Sequence, residues 1–228
     1  MNNFWDKIFE KEKTNWGFTP SDSAILTKDF FLQEKIKNIL IPGIGYGRNA
    51  KIFYDNGITV DGIEISKVAI ELAKSETGLD LNIYHGSVTD MPFDNKKYEG
   101  IFCYALIHLL NKHERKRFLQ NCYNQLMPNG YMIFTTASKE MITFGNGRLL
   151  SKDRYEMQKG LNVFFYDSES VKQEFNAYGL VEFNEIDEPI KHLENEPPLK
   201  LIFVKCRKAD SIDYMDKKNR KESTSGKH

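Results

Sequence analysis

The length, charge and composition of the chain exclude several classes of protein. Its 228 residues are enough for one α/β domain with a large core, and they are too few for two domains of ordinary size. The 32 basic and 32 acidic residues balance to a formal net charge of zero, so no field over the whole surface favours nucleic acid or membrane. Apolar residues make up 40 % of the chain and aromatic residues 13 %, which excludes global disorder.

The sequence carries no pattern typical of export, membrane anchoring or disulfide bonding. Its first residues lack a basic region followed by an apolar run, and no stretch approaches the ~18 apolar residues that span a bilayer. Cys103, Cys122 and Cys206 are odd in number, widely spaced and embedded in apolar sequence, which favours reduced core thiols. We therefore expect a cytoplasmic protein without a metal site.

Three parts follow one another along the chain. Residues 1–35 are predicted to form a helical lid segment, because apolar residues from Phe4 to Phe9 recur at helical spacing. Residues 36–208 are predicted to form the main domain. Residues 209–228 are polar and lack apolar periodicity, so they are predicted to be a flexible tail.

From residue 38 onward, short apolar runs alternate with longer amphipathic runs, a pattern typical of βαβ units. The predicted strands cover residues 39–41, 59–63, 81–84, 98–104, 131–136, 181–186 and 199–206. The predicted helices cover residues 48–56, a segment between Ser66 and Gly78, a segment from Asn111 with its capping box to Leu126, and a segment from Asp167 or Ser168 to Gly179. The last two strands have no helix between them and are expected to pair antiparallel. The predicted fold is α/β: a doubly wound, Rossmann-like, seven-stranded and mostly parallel sheet whose last strand is antiparallel.

A long connection separates the fifth strand from the last helix. Residues 137–166 are predicted to be irregular, with glycines at 145 and 147 in their middle. Connections of this length in a compact domain are usually functional, so we expect this segment to lie over the active site.

A glycine-rich loop follows the first strand. Gly43, Gly45 and Gly47 let the backbone turn sharply and approach a ligand closely. Arg48 occupies the place where a nicotinamide-binding GxGxxG loop needs its third glycine, so the fit to a dinucleotide is poor. Glu64 ends the second strand 21 residues after Gly43, where a carboxylate can accept both hydroxyls of a ribose. Loop and acid together indicate an adenosine-bearing ligand.

The chain resembles the class I S-adenosylmethionine-dependent methyltransferases from about Phe4 to Lys208. Four segments carry the resemblance: residues 43–47 are similar to the first motif of the family, 61–66 to its ribose motif, 86–93 to its adenine-binding segment and 126–131 to the turn that introduces its fifth strand. The start of the chain at residues 4–7, with Trp16-Gly17, Pro20 and Pro42, is similar to the tellurite-resistance and thiopurine-type branch, whose members act on small molecules.

The resemblance implies S-adenosyl-L-methionine as cofactor and S-adenosyl-L-homocysteine as product. It places the methionine moiety near the loop, the ribose on Glu64 and the adenine against Ile65. Trp16 either closes the lid segment over the cofactor or packs in the core. The implied cofactor-binding residues are Trp16, Gly43, Ile44, Gly45, Gly47, Glu64, Ile65, Ser87, Val88, Asp90 and Tyr104. One departure is Ile41, which stands where many members carry an acid that contacts the ammonium group.

The sequence also suggests how the methyl group would be transferred. A sulfonium already activates the methyl group, so the protein mainly has to align a nucleophile for in-line displacement and exclude water. His108 follows the fourth strand and is the candidate catalytic residue, either as a base or as a substrate contact; the alternative is a structural histidine bonded to a neighbouring loop.

Several readings of the function stay open. The preferred one is methyl transfer to a small-molecule acceptor by a monomer or homodimer, with no nucleic-acid or membrane partner. The alternatives are a nicotinamide-dependent oxidoreductase and a non-catalytic S-adenosylmethionine-binding sensor. A nucleic-acid methyltransferase is disfavoured by the balanced charge and by the lack of a DNA-reading motif.

Overall fold

A computed structural model describes residues 2–14, 17–189 and 197–210 of the chain. Trp16, predicted to close over the cofactor or pack in the core, and the predicted flexible tail beyond residue 210 lie outside the described residues. Helices α1 (Asn2–Glu12) and α2 (Asp22–Gln33) precede the first strand. The longest helix in the described part of the chain has 14 residues, and none is long and apolar enough to cross a membrane.

The main sheet has seven strands. In chain order its elements are β1 (Asn38–Pro42), α3 (Ala50–Tyr54), β2 (Thr59–Glu64), α4 (Lys67–Thr77), β3 (Asn82–His85), β4 (Tyr98–Cys103), α5 (Lys112–Gln125) and β5 (Leu126–Ala137). After an insertion described below come α6 (Ser168–Phe175), β9 (Leu180–Glu188) and β10 (Leu199–Arg207). The strand order is β3-β2-β1-β4-β5-β10-β9. Strands β1 to β5 pair in parallel and β10 pairs antiparallel with both neighbours, which confirms the predicted fold.

Local signals set the ends of several helices. Ser66 caps α4 by accepting from the Ala69 amide, and Gly78 ends that helix in the left-handed region at φ 64°. Asn111 and Glu114 form the predicted capping box of α5. The sequence predicted these helices because a cap depends only on residues within one turn of it.

The prediction that residues 137–166 are irregular is wrong. They contain a three-stranded antiparallel sheet of β6 (Arg148–Ser151), β7 (Arg154–Gln158) and β8 (Leu161–Phe164). Asp153 at φ 61° and Gly160 at φ 91° supply the left-handed backbone of the two tight turns. A separate apolar cluster holds this small sheet: Val163 and Phe165 pack with Ala137 at the end of β5.

Apolar cores cover the main sheet on both faces. Along β1, Ile39 and Ile41 belong to the core that contains Phe31 and Phe53, whereas Leu40 belongs to the opposite core with α5. This alternation explains why the parallel strands are apolar at almost every position. The three cysteines are buried and unpaired, and burial raises the pKa of the Cys206 thiol to about 12.

Candidate functional site

The glycine loop leaves the carboxyl end of β1 and is tied to the end of β2. The amides of Gly43 and Ile44 both donate to the carbonyl of Ile63, at 2.8 and 3.1 Å. Gly43 has φ 70°, and a Cβ at this position would lie 2.2 Å from the side chain of Leu106. Gly45 and Gly47 have φ 57° and 84°. The loop therefore requires glycine for its backbone conformation at all three positions and, at Gly43, also for space.

Glu64 joins this loop at the edge of the sheet. Its Oε2 accepts from the amide of Gly45 at 2.9 Å, and its Oε1 accepts from the amides of Ile65 and Ser66 at 2.8 and 2.9 Å. The residue is 6 % exposed, and burial raises the pKa of its carboxyl while the three amides oppose that change. The structure thus brings the predicted loop and acid into direct contact.

The Glu64 carboxylate also fits the ribose of an adenosyl ligand. A carboxylate offers about four lone-pair positions, and the three backbone amides occupy three of them. Oε2 accepts one described hydrogen bond, from Gly45, and so retains capacity for a hydroxyl donor. A diol at this edge would meet an acceptor that the backbone already holds in place.

Helix α1 covers the same edge. Asp6 accepts from the hydroxyl of Ser66 at 2.6 Å and so holds α1 against the start of α4. The ring of Phe9 contacts that of Tyr46 in the glycine loop, with 6.3 Å between centroids. The hydroxyl of Tyr46 donates to the carbonyl of Gly17 at 2.6 Å. No local sequence pattern indicates this role for Asp6, because its partner Ser66 lies 60 residues away.

The predicted adenine-binding residues lie beyond the end of β3. The amide of Gly86 donates to the carbonyl of Glu64 at 2.9 Å, which aligns this segment with the ribose motif. Ser87 accepts from the amide of Thr89 and caps a short 3-10 turn in which Val88 is buried and Asp90 is exposed. Ile65 is half-buried at the end of β2. The segment is therefore held beside the end of β2, and a role in binding adenine stays a prediction.

Tyr104 follows β4 and lies beside Arg48 of the glycine loop. The guanidinium carbon of Arg48 is 5.6 Å from the centroid of the Tyr104 ring. Burial, with a smaller effect from the charge of Glu188, raises the pKa of Tyr104 to about 12, so its phenol is protonated at neutral pH. Ile41 is 2 % exposed in the core and carries no charge to this region. A cation and a hydroxyl donor therefore lie at the end of the loop.

His108 lies in a short 3-10 turn after β4 and is 8 % exposed. Its Nδ1 accepts from the amide of Ala137 at 3.1 Å, which fixes the neutral tautomer with a proton on Nε2. Burial lowers its pKa to about 4. With Nδ1 engaged and Nε2 protonated, the ring can donate a hydrogen bond to a ligand, but it has no lone pair to serve as a base.

Two arginines hold the sheet edge beside His108: Arg154, which the sequence offered as a pocket-lining or structural residue, and Arg115, which carried no assignment. Arg154 of β7 donates to the carbonyls of Leu109 and Leu110, just after His108. Arg115 is 3 % exposed and forms a bidentate ion pair with Glu174 of α6. Neither pairing has a local sequence signal, because the partners come together only when the insertion and α6 pack on α5.

Known proteins resemble this chain in sequence and in structure. A family described as a methyltransferase domain matches residues 40–134. The tRNA N(3)-methylcytidine methyltransferase Mettl2 of Drosophila melanogaster is 24 % identical over 206 residues, which cover 78 % of this chain and 61 % of that protein. The chain thus spans about three fifths of the length of this curated relative.

Solved structures share the fold at low identity. The 1,6-didemethyltoxoflavin-N1-methyltransferase of Burkholderia thailandensis, with S-adenosylhomocysteine bound, has a TM-score of 0.69 and 13 % identity, covering 92 % of this chain and 87 % of its own. TehB of Haemophilus influenzae has a TM-score of 0.58 and 18 % identity, covering 79 % of this chain and 60 % of its own. The family uses S-adenosylmethionine as cofactor and releases S-adenosylhomocysteine. The matched methyltransferase domain of residues 40–134, the sheet order and the glycine loop together show a class I S-adenosylmethionine-dependent methyltransferase domain in this chain.

Proposed function

We propose that this protein transfers the methyl group of S-adenosylmethionine to a small-molecule nucleophile by in-line displacement. The contact between Glu64 and the Gly45 amide carries the proposal, because it unites the glycine loop and the ribose acid in one site. That site lies at the carboxyl edge between β1 and β4, where the strand order reverses and where ligands of doubly wound sheets bind.

Different residues of this chain bind different parts of the cofactor. The backbone of the loop, with Gly43, Ile44, Gly45 and Gly47, surrounds the methionine moiety, and the protonated Tyr104 offers it a hydroxyl donor. Glu64 accepts from the ribose, and Ile65 packs on the adenine. Ser87, Val88 and Asp90 meet the adenine edge. When bound, the sulfonium supplies an already activated methyl group, so the chain has only to align the acceptor and exclude water.

His108 acts on the acceptor as a hydrogen-bond donor. Its Nε2–H has no partner among the described residues, whereas Nδ1 is held by the Ala137 amide. A donor at the end of β4 can orient the lone pair of a nucleophile that arrives deprotonated, such as a thiolate. An acceptor that must lose a proton would need a base other than His108.

We infer a small acceptor, and not a nucleic acid, from the charge of the chain. The formal net charge of zero gives no field over the whole surface that would collect a polyanion. A second candidate is a tRNA cytidine, favoured by the name of the curated Drosophila melanogaster relative. The placement in the tellurite-resistance and thiopurine-type branch stays a prediction, and family membership gives no support to a nicotinamide-dependent oxidoreductase.

Calorimetric titration with S-adenosylhomocysteine tests the cofactor site. Glu64→Ala should weaken binding at least tenfold, about 1.4 kcal/mol, because it removes the acceptor for the ribose hydroxyls. Glu71→Ala on the exposed face of α4 makes the same change away from the site and should leave affinity unchanged. Equal affinities of wild type and Glu64→Ala would place the ribose elsewhere.

A transfer assay then tests the activity. Radiolabelled S-adenosylmethionine is offered with a panel of thiols, amines, phenols, metalloid anions and total tRNA. Transfer to a small acceptor supports the proposal. Transfer to tRNA alone would favour the second candidate, and cofactor binding without transfer to any acceptor would identify a sensor.

A further inference from the structure

Glu188 lies at the carboxyl edge of the main sheet and contacts helix α2. Strand β9 runs in the same direction as β5, because β10 pairs antiparallel with both, so its last residue, Glu188, lies at the edge that carries the glycine loop. Its Oε1 accepts from the amide of Asp22 at 2.8 Å, and its Oε2 accepts from the amide of Ser23 at 3.1 Å and from the Ser23 hydroxyl. Glu188 is 6 % exposed. A buried carboxylate therefore binds the first turn of a helix that begins 166 positions earlier.

Glu188 and Ser21 together satisfy the first amides of α2. The amides in the first turn of a helix have no partner within the helix, and the helix dipole favours a negative charge beside them. Ser21 caps α2 by accepting from the amide of Ala24, and Glu188 accepts from the two amides that precede it. Removing the carboxylate would leave these two amides without their acceptor, so the position of the start of α2 depends on Glu188.

The chain that leads into α2 is also bound to the glycine loop and to the helix that follows it. We call residues 17–23 the strap. At its beginning, the carbonyl of Gly17 accepts from the hydroxyl of Tyr46 at 2.6 Å. In its middle, the amide of Ser21 donates to Oδ1 of Asn49 at 2.9 Å. Its end is the helix turn that the carboxylate of β9 holds, so the strap is fixed at three points.

The strap lies beside groups assigned to the methionine end of the cofactor. Tyr46 stands between Gly45 and Gly47, in the loop whose backbone is proposed to surround the methionine moiety. Burial and, to a smaller extent, the charge of Glu188 raise the pKa of Tyr104, so this carboxylate lies within electrostatic reach of the hydroxyl proposed to bind the methionine. Among the described residues, the hydrogen bonds of the strap reach none of the groups assigned to the ribose or the adenine.

We propose that Glu188 is a positioning residue for the methionine end of the cofactor. By fixing the start of α2, it keeps the strap on its partners in and beside the glycine loop. The inference rests on the proposed function and adds to it a residue outside the assigned cofactor contacts. If the loss of Glu188 leaves the strap in place in about a tenth of the molecules, the apparent Kd of a ligand that needs the strap rises about tenfold.

A pair of ligands separates the methionine end from the rest of the site. S-adenosylhomocysteine carries the amino-acid part, and 5′-methylthioadenosine has the same adenosine and thioether sulfur without it. Both are titrated into the full chain by calorimetry. Glu188→Ala should weaken S-adenosylhomocysteine about tenfold and 5′-methylthioadenosine less than about twofold. Glu64→Ala should weaken both ligands, because both contain the ribose.

Three further variants separate positioning from a general loss of stability. Glu188→Gln keeps one oxygen acceptor and loses the charge, so it should weaken S-adenosylhomocysteine by an intermediate factor of about three. Glu182→Ala makes the same change as Glu188→Ala at an exposed position of β9 and should leave both affinities unchanged. Val171→Ala truncates a buried side chain in the core on the opposite face of the sheet from α2. Urea unfolding should show that it lowers stability, and both affinities should stay at the wild-type value.

The failure of this inference and the failure of the proposed function give different results. No binding of S-adenosylhomocysteine by the wild type overturns the proposed function. Binding by the wild type with the same affinity in Glu188→Ala overturns only the role of Glu188. An equal loss for both ligands in Glu188→Ala also overturns it, because the effect would then not be confined to the methionine end. A selective loss of S-adenosylhomocysteine binding in Val171→Ala contradicts it as well, because lower stability alone would then explain the effect.

Discussion

His108 allows the sharpest test of how the acceptor side is built. In the fold its imidazole is buried, neutral and bonded through Nδ1 to the amide of Ala137. In the unfolded chain the same ring protonates with a pKa near 6.5. Replacing His108 with asparagine keeps an oxygen close to the position of Nδ1 and removes the titration.

The magnitude follows from the lowered pKa. A folded pKa of about 4 against an ordinary value of 6.5 means that the unfolded chain binds more protons between these two pH values. Stability is therefore fully present above pH 6.5 and is lost as the pH falls toward 4. The loss amounts to about 3 kcal/mol in the free energy of unfolding.

Urea unfolding between pH 7.5 and pH 4 measures this loss. The wild type should lose about 3 kcal/mol more than His108→Asn over that range, because the other titrating groups are common to both proteins. His113→Asn removes an exposed histidine from α5 and should follow the wild-type curve. Parallel curves for the wild type and His108→Asn would refute the reasoning.

The same position separates a donor from a base during transfer. His108→Gln places an amide N–H near the position of Nε2, so a role as donor predicts that glutamine retains more activity than asparagine. A catalytic base predicts that both variants are inactive and that the wild-type rate falls with the protonation of His108. This measurement decides between the two roles left open for the residue.

Two further substitutions test the loop and the packing behind it. Gly43→Ala should lower the free energy of unfolding by about 1–3 kcal/mol, because an L-residue is strained at φ 70° and its Cβ would meet Leu106 at 2.2 Å. Adding Leu106→Ala should recover only the part of this loss that is due to the steric clash. Full recovery of stability in urea unfolding would show that the backbone conformation is not a cause. Arg115→Met should cost about 3–5 kcal/mol, because it leaves the partly buried Glu174 carboxylate without its bidentate partner. The double variant Arg115→Met with Glu174→Gln should be more stable than Arg115→Met alone, and an equal or lower stability would show that the ion pair is not the cause.

Much of the main sheet and half of the site were predictable from local patterns. The run of apolar residues before Gly43, the glycines themselves and the acid at Glu64 lie within one βαβ unit. Their order along the chain becomes their order in space, because a parallel crossover returns each strand end to the same edge. The helix cap at Ser66 was predictable for a similar reason, since the amide that it accepts from is only three residues away.

Local sequence patterns did not predict the three strands of the insertion. Strand β6 is exposed and strands β7 and β8 are mostly half-buried, and all three are short, so they lack the strict alternation that identifies a strand. They form because Val163 and Phe165 pack on Ala137 and because their edges pair with one another. Sequence spacing does not reveal such packing.

The sequence by itself determined the fold class and predicted the glycine loop and Glu64 as cofactor-binding groups, because each depends on residues close together along the chain. Only the tertiary structure decided which groups hold the turn that follows β4: the Ala137 amide on His108, and Arg154 on the carbonyls of Leu109 and Leu110. Phe4 packs at Gly160, more than 150 positions away, and the Ala137 amide at the end of β5 donates to the buried His108, whose pKa burial lowers. Long-range packing sets both distance and dielectric, and these two quantities govern the chemistry of the acceptor side.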